Sequence, residues 1–358
     1  MRRRKNIITM LIIILSCLIV AAGVCIMFIF DITKSAMEDP ISAFETPEPE
    51  QQIIQSTPKQ TLTPTPEPIE FDVMFNGKMY NEQQKYINIV LLGFDDMQDR
   101  ANDGGNTDSL MVFKIGFETG DVEVLSIPRD TWTLVNEYDS KGKLEFTYNT
   151  KINAAYASAS RRDDKYPNAL ATIENLMEAD GLFDLDMDYY CSIDIKDVPK
   201  LCDAVGGVPI VLENSMESIG KRGETVVLNS TMAQYYLRDR KTGNGDISRG
   251  QRHQKFMVAL AKKIQQMGGR KAALALYDDV IKYIKTNLSI EQIAALASLV
   301  GDINVDSIKL FSVPGKIGGA SYERPGSYYG DFRSVYLVDK NGLKNIILDM
   351  YYEVVLIE

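Results

Sequence analysis

A chain of 358 residues, 45% hydrophobic and 25% charged, is long enough to bury a sizeable core as one large domain or two smaller ones. Its formal net charge of -10 excludes nonspecific nucleic-acid binding, which needs a broad basic surface. A single histidine, His253, excludes a histidine-rich zinc site and any Ser-His-Asp triad that does not use it.

At the amino end, Arg2, Arg3, Arg4 and Lys5 precede an uncharged run from Ile7 to Phe30, long enough as a helix to cross a bilayer core of ~30 Å. Basic residues before the run and Asp31 after it place the N-terminus in the cytoplasm and the rest of the chain outside the cell membrane. A cleaved signal peptide would have an apolar core of about 7–15 residues followed by a small-x-small site, and neither condition is met well. Cys17 and Cys25 fall inside the run and read as apolar fillers. Beyond it, Pro, Thr, Gln and Glu dominate, most densely from Ser56 to Pro68. Such a stretch favours extended polyproline-like backbone of ~3 Å per residue. The expected organisation is therefore a cytoplasmic basic segment (1–6), a transmembrane helix (7–30), an extracellular linker (31–84) and a folded domain (85–358).

From Tyr86 the patterns alternate. Ile87 to Leu92, Leu110 to Ile115 and Val122 to Ile127 read as buried strands, the last two joined by a short hairpin at Thr119-Gly120. Helices are expected over Asn168 to Ala179 and Lys196 to Ala204, with a strand from Val208 to Leu212. Further helices run from about Ser248 to Met267, from Ser289 with Gln292 as a capping box, and from Gly342 to Tyr352. Lys309 to Val313 and Leu337-Val338 are strand-like. Interleaved strands and helices indicate an α/β fold, a sheet covered by helices. Cys191 and Cys202, on the external side, allow one disulfide or two buried free thiols.

If the first three strands run up, down and up, Asp95 and Asp96, Asp108, and Pro128-Arg129-Asp130 share one rim, the end of an α/β sheet where ligands bind. Carboxylates there suit Mg²⁺ or Mn²⁺, and guanidinium groups suit the phosphates such a metal bridges. Arg238, Arg240, Asp246, Arg249, Arg252 and His253 crowd into one short stretch around the start of a helix, where the dipole favours anions. The alternatives are turn-capping aspartates and a solvated face of salt bridges. Trp132 reads as core or pocket wall.

These stretches resemble those of the LytR-CpsA-Psr family of membrane-anchored cell-envelope enzymes. The resemblance is carried by Asn88 to Asp95, Thr107-Asp108-Ser109, Ser126 to Asp130, Lys151 to Tyr156, Asp203 to Val208, Arg238-x-Arg240 and Asp246-x-x-Arg249-x-x-Arg252, in family order. It implies a central mixed β-sheet sandwiched by helices (α-β-α) with an apolar groove for a polyprenyl chain, which Leu170, Ile173 and Leu176 would line unless they pack the core. It implies a transferase that moves a teichoic acid or capsule-type glycopolymer from a polyprenyl diphosphate in the membrane lipid to peptidoglycan, with Mg²⁺ or Mn²⁺ assisting. Asp95 and Asp108 would then be metal and catalytic acids, and Asp246 an orienter or base. Arg129, Arg238, Arg240 and Arg249 would clamp the diphosphate, with Arg252 and His253 in the same anion-binding cluster. A polyprenyl diphosphate phosphatase and a noncatalytic binder of lipid-linked intermediates remain the alternative readings. Two positions depart from the family pattern: Gly105-Asn106 stands where an arginine usually precedes the aspartate, which leaves Arg100 to supply a phosphate contact, and His253 replaces a common glutamine. An imidazole at that place is expected to titrate near neutral pH and to make activity pH-dependent.

Overall fold

The computed structural model describes residues 34–44, 70–83, 85–94, 105–117, 120–239, 241–243, 246–268, 281–299, 304–321, 324–325 and 332–356. The expected membrane span at 7–30 lies outside them, and among the described residues no helix is long and apolar enough to cross a membrane. A short helix α1 over residues 34–38 comes first. It is followed by β1 (Val73–Phe75), β2 (Lys78–Glu82), β3 (Tyr86–Phe94), β4 (Thr107–Gly116), β5 (Val122–Ile127), β6 (Trp132–Tyr138), β7 (Leu144–Lys151) and α2 (Arg162–Met177). Then come β8 (Tyr189–Asp194), α3 (Val198–Ala204), β9 (Val208–Val211), β10 (Thr225–Leu228), α4 (Ser230–Arg238) and α5 (Asp246–Gln266). The chain continues through β11 (Ile284–Thr286), α6 (Ile290–Leu299), β12 (Lys309–Ser312), β13 (Gly315–Ser321), β14 (Phe332–Val338), α7 (Lys340–Tyr351) and β15 (Tyr352–Val354).

Six strands form the central sheet in the order β11-β8-β3-β4-β5-β12. β3, β4 and β5 are antiparallel neighbours, which is the expected up, down and up path. β8 joins β3 and β12 joins β5 in parallel, so the sheet is mixed. Its strands read as unbroken apolar runs because helices cover both faces. Val90, Leu92, Phe94, Leu110, Val112 and Leu125 face a core shared with Ile173 and Met177 of α2 and Ile347 of α7. The alternate residues Leu91, Met111, Val124 and Ile193 face a second core with Leu201 of α3, Tyr236 of α4 and Phe256 of α5. Burying each such side chain contributes about 1.5–3 kcal/mol, and the result is the α-β-α sandwich.

Several local expectations shift. α2 begins at Arg162, earlier than the apolar pattern indicated, and carries Pro167 near its start after Asp163 and Asp164 in its first turn. Leu170 and Ile173 are core residues and do not line an open groove, whereas Leu176, partly buried against them, lines a cavity of about 520 Å³. Cys191 and Cys202 are free thiols, and burial pushes both up to about 12. The capping box opens α6 as expected, with the Ser289 N–H donating to Gln292 Oε1 at 2.9 Å and the Gln292 N–H to Ser289 Oγ at 3.2 Å.

Ordered structure also falls within the stretch read as a linker. β2 pairs with β1 on one side and with the C-terminal β15 on the other. After α1, the Phe44 ring packs 5.3 Å from Phe117 and 5.5 Å from Tyr189, and Ala36 is buried. This contact lies at the end of the sheet where β4 finishes and β8 starts.

Candidate functional site

The opposite end of the sheet carries the polar rim. β4 begins there with Thr107-Asp108-Ser109, and β5 ends there and passes into Pro128-Arg129-Asp130. A tight turn aims Arg129: the Thr131 N–H and hydroxyl both donate to Pro128 O, at 2.9 and 2.6 Å. The Asn153 N–H donates to Arg129 O at 3.2 Å, which ties the turn to the residues after β7. Lys151 Nζ lies 2.9 Å from Asp130 Oδ1.

α5 brings the remaining arginine. It sits close on β5 because Gly250 has no side chain; a Cβ there would lie 3.1 Å from Ser126 Oγ. Gln254 fixes the same contact, donating from Nε2 to Val124 O at 3.2 Å and Phe311 O at 2.7 Å. One turn earlier, Arg249 Nη2 donates to Asp108 O at 3.2 Å and lies 3.5 Å from Asp108 Oδ1. Arg129 Nη1 donates to that same carboxylate oxygen. Asp108, Arg129 and Arg249 therefore form one cluster, with Arg249 and Asp108 largely buried and Arg129 more open to solvent. Low dielectric strengthens such charge-assisted bonds and aligns the guanidinium forks.

Arg252 and His253 direct their donors elsewhere. Arg252 Nε donates to Tyr236 O at 3.0 Å, and its Nη2 donates to Asp239 O. Asp239 in turn accepts from the Thr242 N–H at 3.0 Å and the Lys241 N–H at 3.1 Å, so Arg252 shapes the turn between α4 and α5. His253 Nε2 lies 2.9 Å from Leu237 O and Nδ1 lies 3.1 Å from Ser109 Oγ. A carbonyl can only accept, so Nε2 carries the proton and Nδ1 accepts from the Ser109 hydroxyl. Burial, reinforced by Arg249 and Arg252, pushes the imidazole down to about 4. This corrects the expectation of titration near neutral pH: the ring is neutral there, and both it and Arg252 serve positions rather than the rim.

Arg238 stands exposed at the end of α4. Asp95, Arg100 and Arg240 lie outside the described residues, as does the side chain of Asp246, which opens α5. Beside Arg129 lies a depression of about 260 Å³ lined by Asn106, Asp130, Asn153, Lys151 and Arg333. With Arg129 it gathers three cations and one carboxylate, a setting for a polyanion. Lys151 stood in a motif stretch without an assigned role. Arg333 had no local signal, because it reaches the rim from β14, far along the chain. A separate apolar cavity of about 40 Å³, lined by Met111, Ile195, Leu237, His253 and Phe256 among others, lies between the sheet and α5.

No group of three or more His, Cys, Asp or Glu side chains gathers as a metal site among the described residues. Of the two expected metal ligands only Asp108 is described, with its Oδ1 already facing two guanidinium groups; Mg²⁺ commonly takes one or two carboxylates and completes its shell with phosphate oxygens and water.

The LytR_cpsA_psr family model matches residues 50–347. The polyisoprenyl-teichoic acid–peptidoglycan teichoic acid transferase TagU of Bacillus mycoides (strain KBAB4) is 30% identical over 248 residues, which covers 67% of this chain and 73% of the relative. The protein of the same name from Bacillus cereus (strain AH820) is 32% identical over 213 residues, 58% of this chain and 62% of the relative. Among solved structures, B. subtilis TagV aligns with a TM-score of 0.56 at 22% identity, covering 75% of this chain and 96% of that one. Protein gbs0355 of Streptococcus agalactiae aligns with a TM-score of 0.58 at 22% identity, covering 74% of this chain and 86% of that one. Both share the fold.

Proposed function

The chain belongs to the LytR_cpsA_psr family, and from that premise we propose that it transfers a glycopolymer from a polyprenyl diphosphate carrier to peptidoglycan outside the cell. The observation that carries the reading is the convergence of Arg129 and Arg249 on Asp108 beside a depression lined by three cations. The names of the relatives supply the substrate class.

In this reading the basic depression binds the diphosphate. A hydroxyl of the peptidoglycan glycan attacks the phosphorus joined to the sugar. The new bond is acceptor oxygen to phosphorus; the bond that breaks joins this phosphorus to the bridging oxygen, and polyprenyl phosphate leaves. Negative charge grows on the oxygens around phosphorus, where Arg129 and Arg249 neutralise it without reorganising. The hydroxyl proton passes to a carboxylate, Asp108 or Asp246. Asp108, with Asp95, would hold Mg²⁺ or Mn²⁺, and the metal would supply further charge neutralisation when bound. Lys151 and Arg333 offer cationic contacts beside Asn106, where the family pattern has an arginine. Residues 7–30 would anchor the protein in the cell membrane with the folded domain outside.

The test combines the purified full chain, a lipid-linked glycopolymer, peptidoglycan oligomers and Mg²⁺. A covalent polymer–peptidoglycan conjugate is expected. Polyprenyl phosphate and free glycopolymer phosphate without conjugate would instead mark a diphosphatase, and binding without either product a noncatalytic binder. Arg249→Ala should lower turnover by about a hundredfold or more, the size of effect typical when one transition-state donor is lost. Arg333→Ala should chiefly raise KM for the lipid-linked donor. Parent-like transfer by Arg249→Ala would refute the clamp.

A further inference from the structure

The β6–β7 hairpin carries a second, larger cavity beside the rim. It measures about 520 Å³ and lies between the hairpin, α2 and the start of α7. In the strand register Trp132, Leu134 and Asn136 stand opposite Lys151, Asn149 and Thr147, so alternate residues of both strands form one face. Asn175, Glu178 and Asp180 line the far side. The Thr147 hydroxyl donates to Asn136 Oδ1 at 2.6 Å, whereas the Asn149 carboxamide has no hydrogen-bond partner among the described residues.

An indole, carboxamides, hydroxyls and an exposed leucine in one cleft match the chemistry of an N-acetylated sugar chain. Sugar ring faces stack on an indole, acetamido and hydroxyl groups pair with carboxamides, and acetyl methyls need an apolar contact. Leu134, 54% exposed, offers that contact. Charge points the same way. The cleft holds Glu178, Asp180 and Lys340, whereas the depression at the rim holds three cations and one carboxylate, so a polyanion favours the depression and a neutral glycan the cleft. The two cavities meet at one cross-strand pair, since Trp132 lines the cleft and its partner Lys151 lines the depression.

We propose that this cleft binds the N-acetylated glycan strand that accepts the polymer and leads its reactive hydroxyl to the rim. The inference rests on the transferase reading above, but its test does not. Trp132 is the only tryptophan of the chain, so its emission reports occupancy without a label. Titrating the full chain in detergent with an N-acetylglucosamine oligomer should give a saturable emission change. Asn149→Ala and Asn175→Ala should each weaken that binding about fivefold, the effect of one lost hydrogen bond, while Arg249→Ala binds like the parent. In the transfer assay Asn149→Ala should raise KM for the glycan acceptor and keep kcat. No emission change, parent-like affinity in both asparagine variants, or a response only to a polyol phosphate oligomer would overturn the proposal. Oligomer binding in a parent protein that transfers nothing would sink the transferase reading and uphold the cleft.

Discussion

At Asp108 one carboxylate holds two guanidinium groups that reach it from 21 and 141 residues away in sequence. The carboxylate and the guanidinium groups around it are not equivalent under mutation. Removing Arg249 leaves the carboxylate paired with Arg129, whereas removing the carboxylate leaves two cations facing each other in a largely buried cluster. Asp108→Ala should therefore destabilise the fold by about 3–5 kcal/mol and Arg249→Ala by clearly less; urea unfolding of both variants checks the order. His253 gives a pH prediction of definite sign. Its folded-state value of about 4 lies below the ordinary value near 6.5, so between the two the unfolded chain binds more protons. Stability from the neutral buried ring is full above about pH 6.5 and falls as pH drops toward about 4. His253→Gln should flatten that slope in melting temperature measured from pH 4 to 7. The turnover profiles of parent and variant should superpose between about pH 6 and 8, because the ring is neutral throughout.

Between elements, the placement of the rim depends on how closely β3 approaches β4. Gly93 pairs with Ser109 across the strands at a register shift, and a Cβ at Gly93 would lie 2.9 Å from Ser109 Cβ. Ser109 adjoins Asp108 and supports His253, so strain introduced there reaches the cluster directly. Gly93→Ala should destabilise by about 1–3 kcal/mol and lower turnover; unchanged melting and activity together would show that the backbone absorbs the added methyl. The same strands were the most legible part of the sequence. β3, β4 and β5 are buried on both faces, and their apolar runs marked them to within a few residues. The β6–β7 hairpin was missed because its residues are mostly half-exposed and polar, with Val135 and Tyr148 among its few buried apolar side chains. β1 and β2 were missed because they are short and follow a Pro- and Glu-rich stretch. Within the site, local motifs pointed to Asp108, Arg129 and Arg249. The inward turn of Arg252 and His253 depends on carbonyls of α4 and the loop after it, which no local pattern reveals.

Across the whole molecule, Phe44 packs between Phe117 and Tyr189 at one end of the sheet, and the Asp108 cluster occupies the other. Phe44→Ala should release residues 34–44 and speed tryptic cleavage at Lys34 without lowering the melting temperature of the domain. Equal cleavage rates in parent and variant would mean that the ring does not hold this segment. With residues 7–30 in the bilayer, as proposed, only residues 31–33 separate the span from α1, and three residues reach at most about 11 Å. Residues 34–44 and 70–82, the described stretches on either side of the Pro- and Thr-rich run, both rest on the domain. Phe44 then acts as a pivot rather than as part of a leash. The sheet is roughly 25–30 Å long at ~3.3 Å per residue, so a domain standing upright on that pivot would lift the arginines clear of the lipid headgroups. In that arrangement a diphosphate still held by its lipid would reach them only with the domain lying on its side, and the docking of one phenylalanine would set which flank turned to the membrane.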